Sequence, residues 1–283
     1  MKLVFYIDIL YFSAELNQYQ TSEFTMERRN FIKASAIVAA ASVASTAVAS
    51  ANAAPSKKEI YEWKVYHFKN GGAKSKIDAF YKEALIPYLN KKGVKVGAFG
   101  EFSQNEPPVI YYLIVYPSIT EYQAIKKELW KDNGFMQAAK NYFETTAESG
   151  TFTRYETYLS EAFDAFPQLH MPSKDRGLIE LRTYESNNEE AGQRKIKMFN
   201  SEEIALFASV GLRCVFFGEI LAGPQMPALM YMLEYKDMDE RKASWKKFGE
   251  SAGWNTLKNK PEYANTVSVV NKIFLVPLDY SQI

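Results

Sequence analysis

From Glu59 to Phe68, charged and bulky residues alternate, the period-two mark of a strand with two unlike faces. Ile77, Phe80, Tyr81, Ala84, Leu85, Tyr88 and Leu89 then recur at helical spacing and form one apolar stripe. Pro87 lies inside that stripe and is expected to kink the helix or end it early, while Gly93 supplies its stop. Val94 to Ser103 and Val109 to Tyr116 read as a strand pair joined by the turn-prone Gln104-Asn105-Glu106-Pro107-Pro108. A second helix is expected from about Thr120 to Lys131 and a further helical piece from Phe135 to about Glu148. A last strand is expected near Thr151 to Leu159.

The same pattern returns downstream. At an offset of 118 residues Glu62 to Glu101 aligns with Glu180 to Glu219 without a gap, so that Lys64 meets Arg182, Tyr66 meets Tyr184 and Gly93 meets Gly211. One inserted residue shifts the offset to 119, after which Tyr112 and Tyr116 fall on Tyr231 and Tyr235, and Phe135 on Trp254. The order β-α-β-β-α-β is that of a ferredoxin-like unit, whose sheet carries both helices on one face and leaves the other to be covered. The sequence therefore predicts an α+β protein of two tandem ferredoxin-like repeats packed sheet to sheet: residues 59–160, a linker over 161–177, and residues 178–283.

The N-terminal segment has a different character. Met-Glu-Arg-Arg-Asn-Phe-Ile-Lys from Met26 is followed by an Ala/Val/Ser-rich stretch from Ala34 to Ala53 with no acidic residue. A basic start, a modestly apolar middle and the triplet Ala51-Asn52-Ala53 describe a cleavable export signal, and Arg28-Arg29 resembles the twin-arginine type. On this reading translation starts at Met26, residues 1–25 are an annotation artefact, cleavage follows Ala53, and the mature protein is periplasmic or otherwise exported. The stretch is too rich in Ala and Ser for a strong membrane span, so none is expected after cleavage.

Composition narrows the chemistry. With 34 Lys and Arg against 33 Asp and Glu, no global field draws in nucleic acid. The lone Cys214 and the two histidines, His67 and His170, argue against thiolate or His-rich metal sites, and no metal or cofactor is expected. Gly-rich phosphate loops, a Gly-x-Ser-x-Gly elbow and a His-Glu-x-x-His helix are missing from the sequence. The 19 Tyr, 19 Phe and 4 Trp suit strands packed under helices, or a cavity with aromatic walls.

Glu180, Arg182 and Tyr184 lie two apart and share one strand face, with Ile179, Leu181 and Thr183 on the other. If the helices take the apolar face, the polar triplet looks across to the second sheet, as do Glu62, Lys64 and Tyr66 from the first repeat. These six residues are the candidate ligand contacts. They also read as a polar network that fixes how the sheets register, or as proton-handling groups, since a buried charge needs a partner. Arg241, Trp245 and Trp254 read as a surface cation and two core anchors, and His67 as a hydrogen-bonded core or edge residue on the helix-facing side of its strand.

Leu178-Ile179-Glu180-Leu181-Arg182-Thr183-Tyr184 closely resembles the opening strand of the NIPSNAP family, and the resemblance continues through Gly211, Tyr235, Asp239-Glu240-Arg241, Trp245 and Trp254. The first repeat is a weaker copy, with Tyr122 for Arg241 and Phe135 for Trp254. The resemblance implies a dimeric α+β-barrel fold with a central cleft, closed within or between chains. It leaves two functions open: a non-catalytic protein whose cleft binds a small hydrophobic or aromatic molecule, or a cofactor-free oxygenase- or isomerase-like enzyme. A homo-oligomer is compatible with either.

Overall fold

The structure is a computed structural model that describes residues 57–70, 72 and 74–283. The twin-arginine segment, the start at Met26 and the cleavage point after Ala53 lie outside the described residues.

The first part of the barrel domain runs β1 (Ile60–His67), α1 (Lys74–Ala79), a π-helical turn (Phe80–Leu85), α2 (Ile86–Asn90), β2 (Lys95–Glu101), β3 (Val109–Tyr116), α3 (Ile119–Leu129), α4 (Asn133–Ala138), α5 (Lys140–Phe143) and β4 (Arg154–Ala162). The second runs β5 (Leu178–Glu185), α6 (Glu189–Met198), a π-helical turn (Phe199–Glu203), α7 (Ile204–Val210), β6 (Arg213–Ala222), β7 (Ala228–Tyr235), α8 (Met238–Glu250), α9 (Ala252–Leu257), a short 3-10 turn (Pro261–Tyr263) and β8 (Val269–Pro277). Pro87 does not end its helix, which continues to Asn90. The widened turn ahead of it has a counterpart at Phe199–Glu203 that no proline follows, so a proline is not required for such a turn.

The strands close into one antiparallel barrel in the order β1-β3-β2-β8-β5-β7-β6-β4. Strands β4-β1-β3-β2 and β8-β5-β7-β6 are two stretches of like order, joined at the β2–β8 and β4–β6 seams. The β2–β8 pairing covers only Phe99–Glu101. The chain after β8 continues the cover of that edge, with Leu278 N–H donating to Ala98 O, Gln282 N–H to Val96 O, and Ala98 N–H to Ser281 Oγ.

An eight-stranded barrel is just wide enough for its inward side chains to fill it. Here Tyr61, Trp63, Phe99 and Phe216 meet inside, with Tyr61 and Phe216 ring centroids 4.7 Å apart. Leu169 and the fully buried Ile283 pack at the end where β1 begins. Outside the barrel, the helices of each part cover its four strands through separate cores, one around Tyr81 and Tyr112 and one around Phe207 and Tyr231.

This arrangement reverses the sequence-based assignment of strand faces. Trp63 and Leu181 point into the barrel, whereas Glu62, Lys64 and Tyr66, and likewise Glu180, Arg182 and Tyr184, lie on the outer face beneath the helices. The physical reason is partnership: the helix layer supplies Lys126 to Glu62, and Arg241 with the Trp245 indole to Glu180, while the barrel interior is walled by aromatic and aliphatic side chains. His67 is displaced in the same way, facing the barrel mouth instead of the helices.

Candidate functional site

The second polar cluster is built by β5 and α8. Asp237 caps α8 by accepting from the backbone N–H of Asp239 and Glu240, and the helix so started carries Arg241 and Trp245 one turn apart on the face laid over β5. Glu180 is fully buried and accepts four donors: Arg182 Nη1 at 2.7 Å and Arg241 Nη2 at 2.9 Å on Oε1, and Arg241 Nε at 3.0 Å and Trp245 Nε1 at 2.9 Å on Oε2. Burial alone would raise its pKa, but Arg241, Arg182 and the Trp245 N–H outweigh it and hold the carboxyl below the usual range. Arg182 also donates to Tyr184 Oη at 2.9 Å and lies 4.3 Å from the Trp245 ring centroid, so its plane is used as well as its charge. Tyr231 Oη donates to Tyr184 Oη at 2.8 Å.

Beside this cluster, Lys195 and Glu203 form a buried pair at 2.7 Å. A π-turn takes in one extra residue, so positions eight apart share a face as positions seven apart do in an α-helix. Burial pushes the Glu203 carboxyl above its ordinary value even though Lys195 opposes it.

The first cluster has the same plan with other residues. Ser118 caps α3 and donates back to Glu121, and the helix brings Lys126 over β1. Glu62 accepts from Lys126 Nζ at 2.9 Å and from Tyr116 Oη at 2.9 Å, and Lys64 Nζ lies 3.4 Å away. Burial opposes ionisation of Glu62, but the two amines and the tyrosine outweigh it and keep its pKa below the usual value. The two triplets are thus each assembled locally and are not brought together with one another.

A third feature lies inside the barrel. At the mouth where β1 and β5 end, a cavity of about 310 Å³ is walled by Trp63, Tyr111, Leu181, Met230 and Ile273. Its rim carries His67, Glu156, Gln225 and Asn271. His67 Nε2 sits 3.1 Å from Glu156 Oε1, within ion-pair range but out of line for a hydrogen bond. Tyr158 Oη is within reach of Glu156 and Gln225, at 3.3 and 3.2 Å. Trp63 Nε1 is buried and finds no hydrogen-bond partner among the described residues.

With the barrel and these clusters described, the comparisons with known proteins can be placed on them. Residues 179–282 match the sequence model of the NIPSNAP family. The NIPSNAP match starts inside β5 and takes in Glu180, Arg182, Arg241 and Trp245. A crystal structure of a NIPSNAP family protein from Agrobacterium tumefaciens is 21% identical over 40% of this chain and 96% of its own, at a TM-score of 0.34. Crystal structures of two proteins provisionally assigned as monooxygenases match more of the barrel. The one from Lactobacillus acidophilus is 11% identical, covers 78% of this chain and 94% of its own, and has a TM-score of 0.50. The one from Fusobacterium nucleatum is 12% identical, covers 80% and 99%, and also scores 0.50. At these identities the likeness is one of fold. Among curated proteins, none matches the chain.

Sequence reasoning singled out the strand triplets of both clusters but passed over Lys126, read Trp245 as a core anchor and assigned Arg241 to the surface, where the structure has it pairing bidentately with Glu180. The signal was its spacing: Arg241 and Trp245 stand four apart within a NIPSNAP-like stretch, on one helix face. A central cleft was expected, but its lining was misassigned, because the apolar wall residues were given to the helices. Among the described residues, no three His, Cys, Asp or Glu side chains converge as metal ligands, and no helix is long and apolar enough to cross a membrane.

Proposed function

We propose that the protein binds a small hydrophobic or aromatic molecule in the barrel mouth without transforming it. The observation that carries this reading is the cavity of about 310 Å³, walled by aromatic and aliphatic side chains and polar at its rim. Apolar walls with a few fixed polar groups are the usual make-up of a ligand site, and about 300 Å³ is the lower end of the range for such sites. An engineered cavity of about 150 Å³ holds benzene, so one or two fused rings are the matching size.

The reading also treats the chain as one ferredoxin-like unit written twice and exported through a twin-arginine signal. The first point is supported by matching landmarks. Gly93 and Gly211, 118 apart, both have positive φ, and the helix caps Ser118 and Asp237, and Asp132 and Ser251, are each 119 apart.

The rival reading is cofactor-free oxygenase- or isomerase-like chemistry. Its support is the His67 and Glu156 pair on the cavity rim, an acid/base couple facing the same space, together with the fold shared with proteins provisionally assigned as monooxygenases. One experiment separates the two. A panel of one- and two-ring phenols and quinones is tested for a rise in Tm and followed by mass spectrometry for conversion. Binding reads out as a Tm rise that Trp63→Phe reduces, with every compound recovered unchanged. Turnover abolished by His67→Gln would replace the binding reading with the enzymatic one, and an unmoved Tm across the panel would remove both.

A further inference from the structure

The first cluster differs from the second in being open. A second cavity, of about 170 Å³, lies between β1, β3 and the helices of the first part, with Lys64 and Lys126 in its wall. It is separate from the barrel mouth, on the other face of the sheet, and Phe80, Tyr81, Phe135 and Tyr142 supply its aromatic sides. Trp130, 62% exposed, and Tyr155, 47% exposed, stand at its rim.

Charge here is out of balance. Two ammonium groups converge on the single carboxylate of Glu62, and Tyr116 already occupies the other carboxylate oxygen. Lys126 takes the short contact at 2.9 Å, and Lys64 is left at 3.4 Å. An ammonium has three protons to donate, and among the described residues Lys64 has only this long contact and the face of Tyr155, 4.7 Å away. Its side chain is only 12% exposed, so water does little of the remaining solvation.

At the matching position of the second cluster, Arg182 donates one nitrogen to Glu180 and another to Tyr184 and lies 4.3 Å from the Trp245 ring centroid, with only its buried Nε left unpartnered. The residue aligned with Trp245 at an offset of 119 is Lys126. An indole that completes one cluster is therefore replaced in the other by a second cation beside an aromatic-walled space.

We propose that this cavity is a binding site for a planar aromatic molecule bearing one carboxylate, whose ring lies among the tyrosines and phenylalanines and whose carboxylate pairs with Lys64. The carboxylate neutralises the surplus charge and accepts the donors that Glu62 leaves free, while one ring suits the volume and a second would extend towards the exposed rim at Trp130 and Tyr155. Burial, opposed by Glu62 and reinforced by Lys126, holds the Lys64 pKa below its ordinary value, and an incoming anion relieves that pressure. The site stands independently of the barrel-mouth reading.

The test uses 2-naphthoate and its neutral counterpart 2-naphthamide, titrated calorimetrically into the exported form of the protein. Naphthoate binding is expected to weaken by about tenfold or more in Lys64→Gln, the worth of one charge-assisted hydrogen bond, to survive in Lys64→Arg, and to be unchanged in Trp63→Phe. Naphthamide is expected to bind the wild type more weakly by a similar factor. Circular dichroism of Lys64→Gln establishes that it is folded. Equal affinity for the acid and the amide, binding indifferent to Lys64→Gln, or no binding of naphthoate at all overturns the proposal. Loss of naphthoate binding in Trp63→Phe would move the ligand to the barrel mouth and overturn it as well.

Discussion

Glu62 and Glu180 occupy matching positions on β1 and β5, and each is held beneath a helix by two cations, yet the two surroundings differ. Around Glu180 the cations are guanidiniums, planar and able to donate in pairs, and an indole closes the remaining side. Around Glu62 the cations are lysines, of which Lys126 is 35% exposed and can be hydrated where it stands. The same backbone thus carries a sealed cluster in one place and an open one in the other. What decides between them is the shape and reach of three or four side chains, not the fold. Polar groups under a helix layer do not of themselves make a site, since the sealed cluster satisfies its own carboxylate completely.

The largest expected effect tests that contrast directly. Glu180→Ala strands Arg182 in a buried place, at a cost of about 3–5 kcal/mol, whereas Glu62→Ala leaves Lys126, which can turn to water, and the largely buried Lys64, whose lowered pKa eases the loss of its charge, and costs about 1–3 kcal/mol. Urea denaturation of both variants measures the gap, and equal losses would mean that the two clusters are energetically alike. The Glu180 gap also has a sign in pH. Its folded pKa is depressed, so the stability it adds is complete above the unfolded value of about 4.3 and is lost as pH falls below that towards the lower folded value. Wild type and Glu180→Ala should therefore converge in stability on acidification.

A smaller effect concerns the buried Lys195–Glu203 pair, whose aligned positions in the first part are Ile77 and Leu85. Glu203→Leu alone leaves a buried ammonium and is expected to cost about 3 kcal/mol, the lower end for a broken buried pair. Lys195→Ile with Glu203→Leu installs the apolar solution that the first part already uses, and is expected to be neutral or to stabilise by about 1 kcal/mol or more. A double variant as unstable as the single one would show that the pair is required by its surroundings and not an exchangeable way of filling the same space.

The contrast also marks what was legible in the sequence. The periodicities placed the four strands of the first part and the opening strand of the second, and the boundaries of β3 were read to the residue. The alternation in β1 and β5 correctly grouped each triplet on one face, because period two is a property of the strand alone. Which face looks inward is not such a property. Trp63 and Leu181 against Lys64 and Arg182 was resolved by assuming that helices demand the apolar side, yet both layers of this barrel are apolar, and the decision fell to cations carried by α3 and α8, more than 50 residues away. The residues that line the cavity at the barrel mouth were hidden for the same reason. A void depends on how side chains from six strands fail to meet, and no single stretch of sequence records that.

The smallest effect asks whether the two parts are alike where no side chain intervenes. Gly93 and Gly211 follow α2 and α7 with φ of 73° and 85°, and a Cβ added to either would meet nothing within 4 Å. Steric crowding is thus removed from the comparison, leaving only the preference of L-residues against the left-handed region. Gly93→Ala and Gly211→Ala should each cost about 1–2 kcal/mol and should agree within the error of paired urea titrations. Agreement would locate the difference between the clusters in their side chains alone. A loss confined to Gly211→Ala would instead mean that the sealed cluster depends on the turn that delivers β6, so that the open and closed sites differ in their scaffold as well as in their residues.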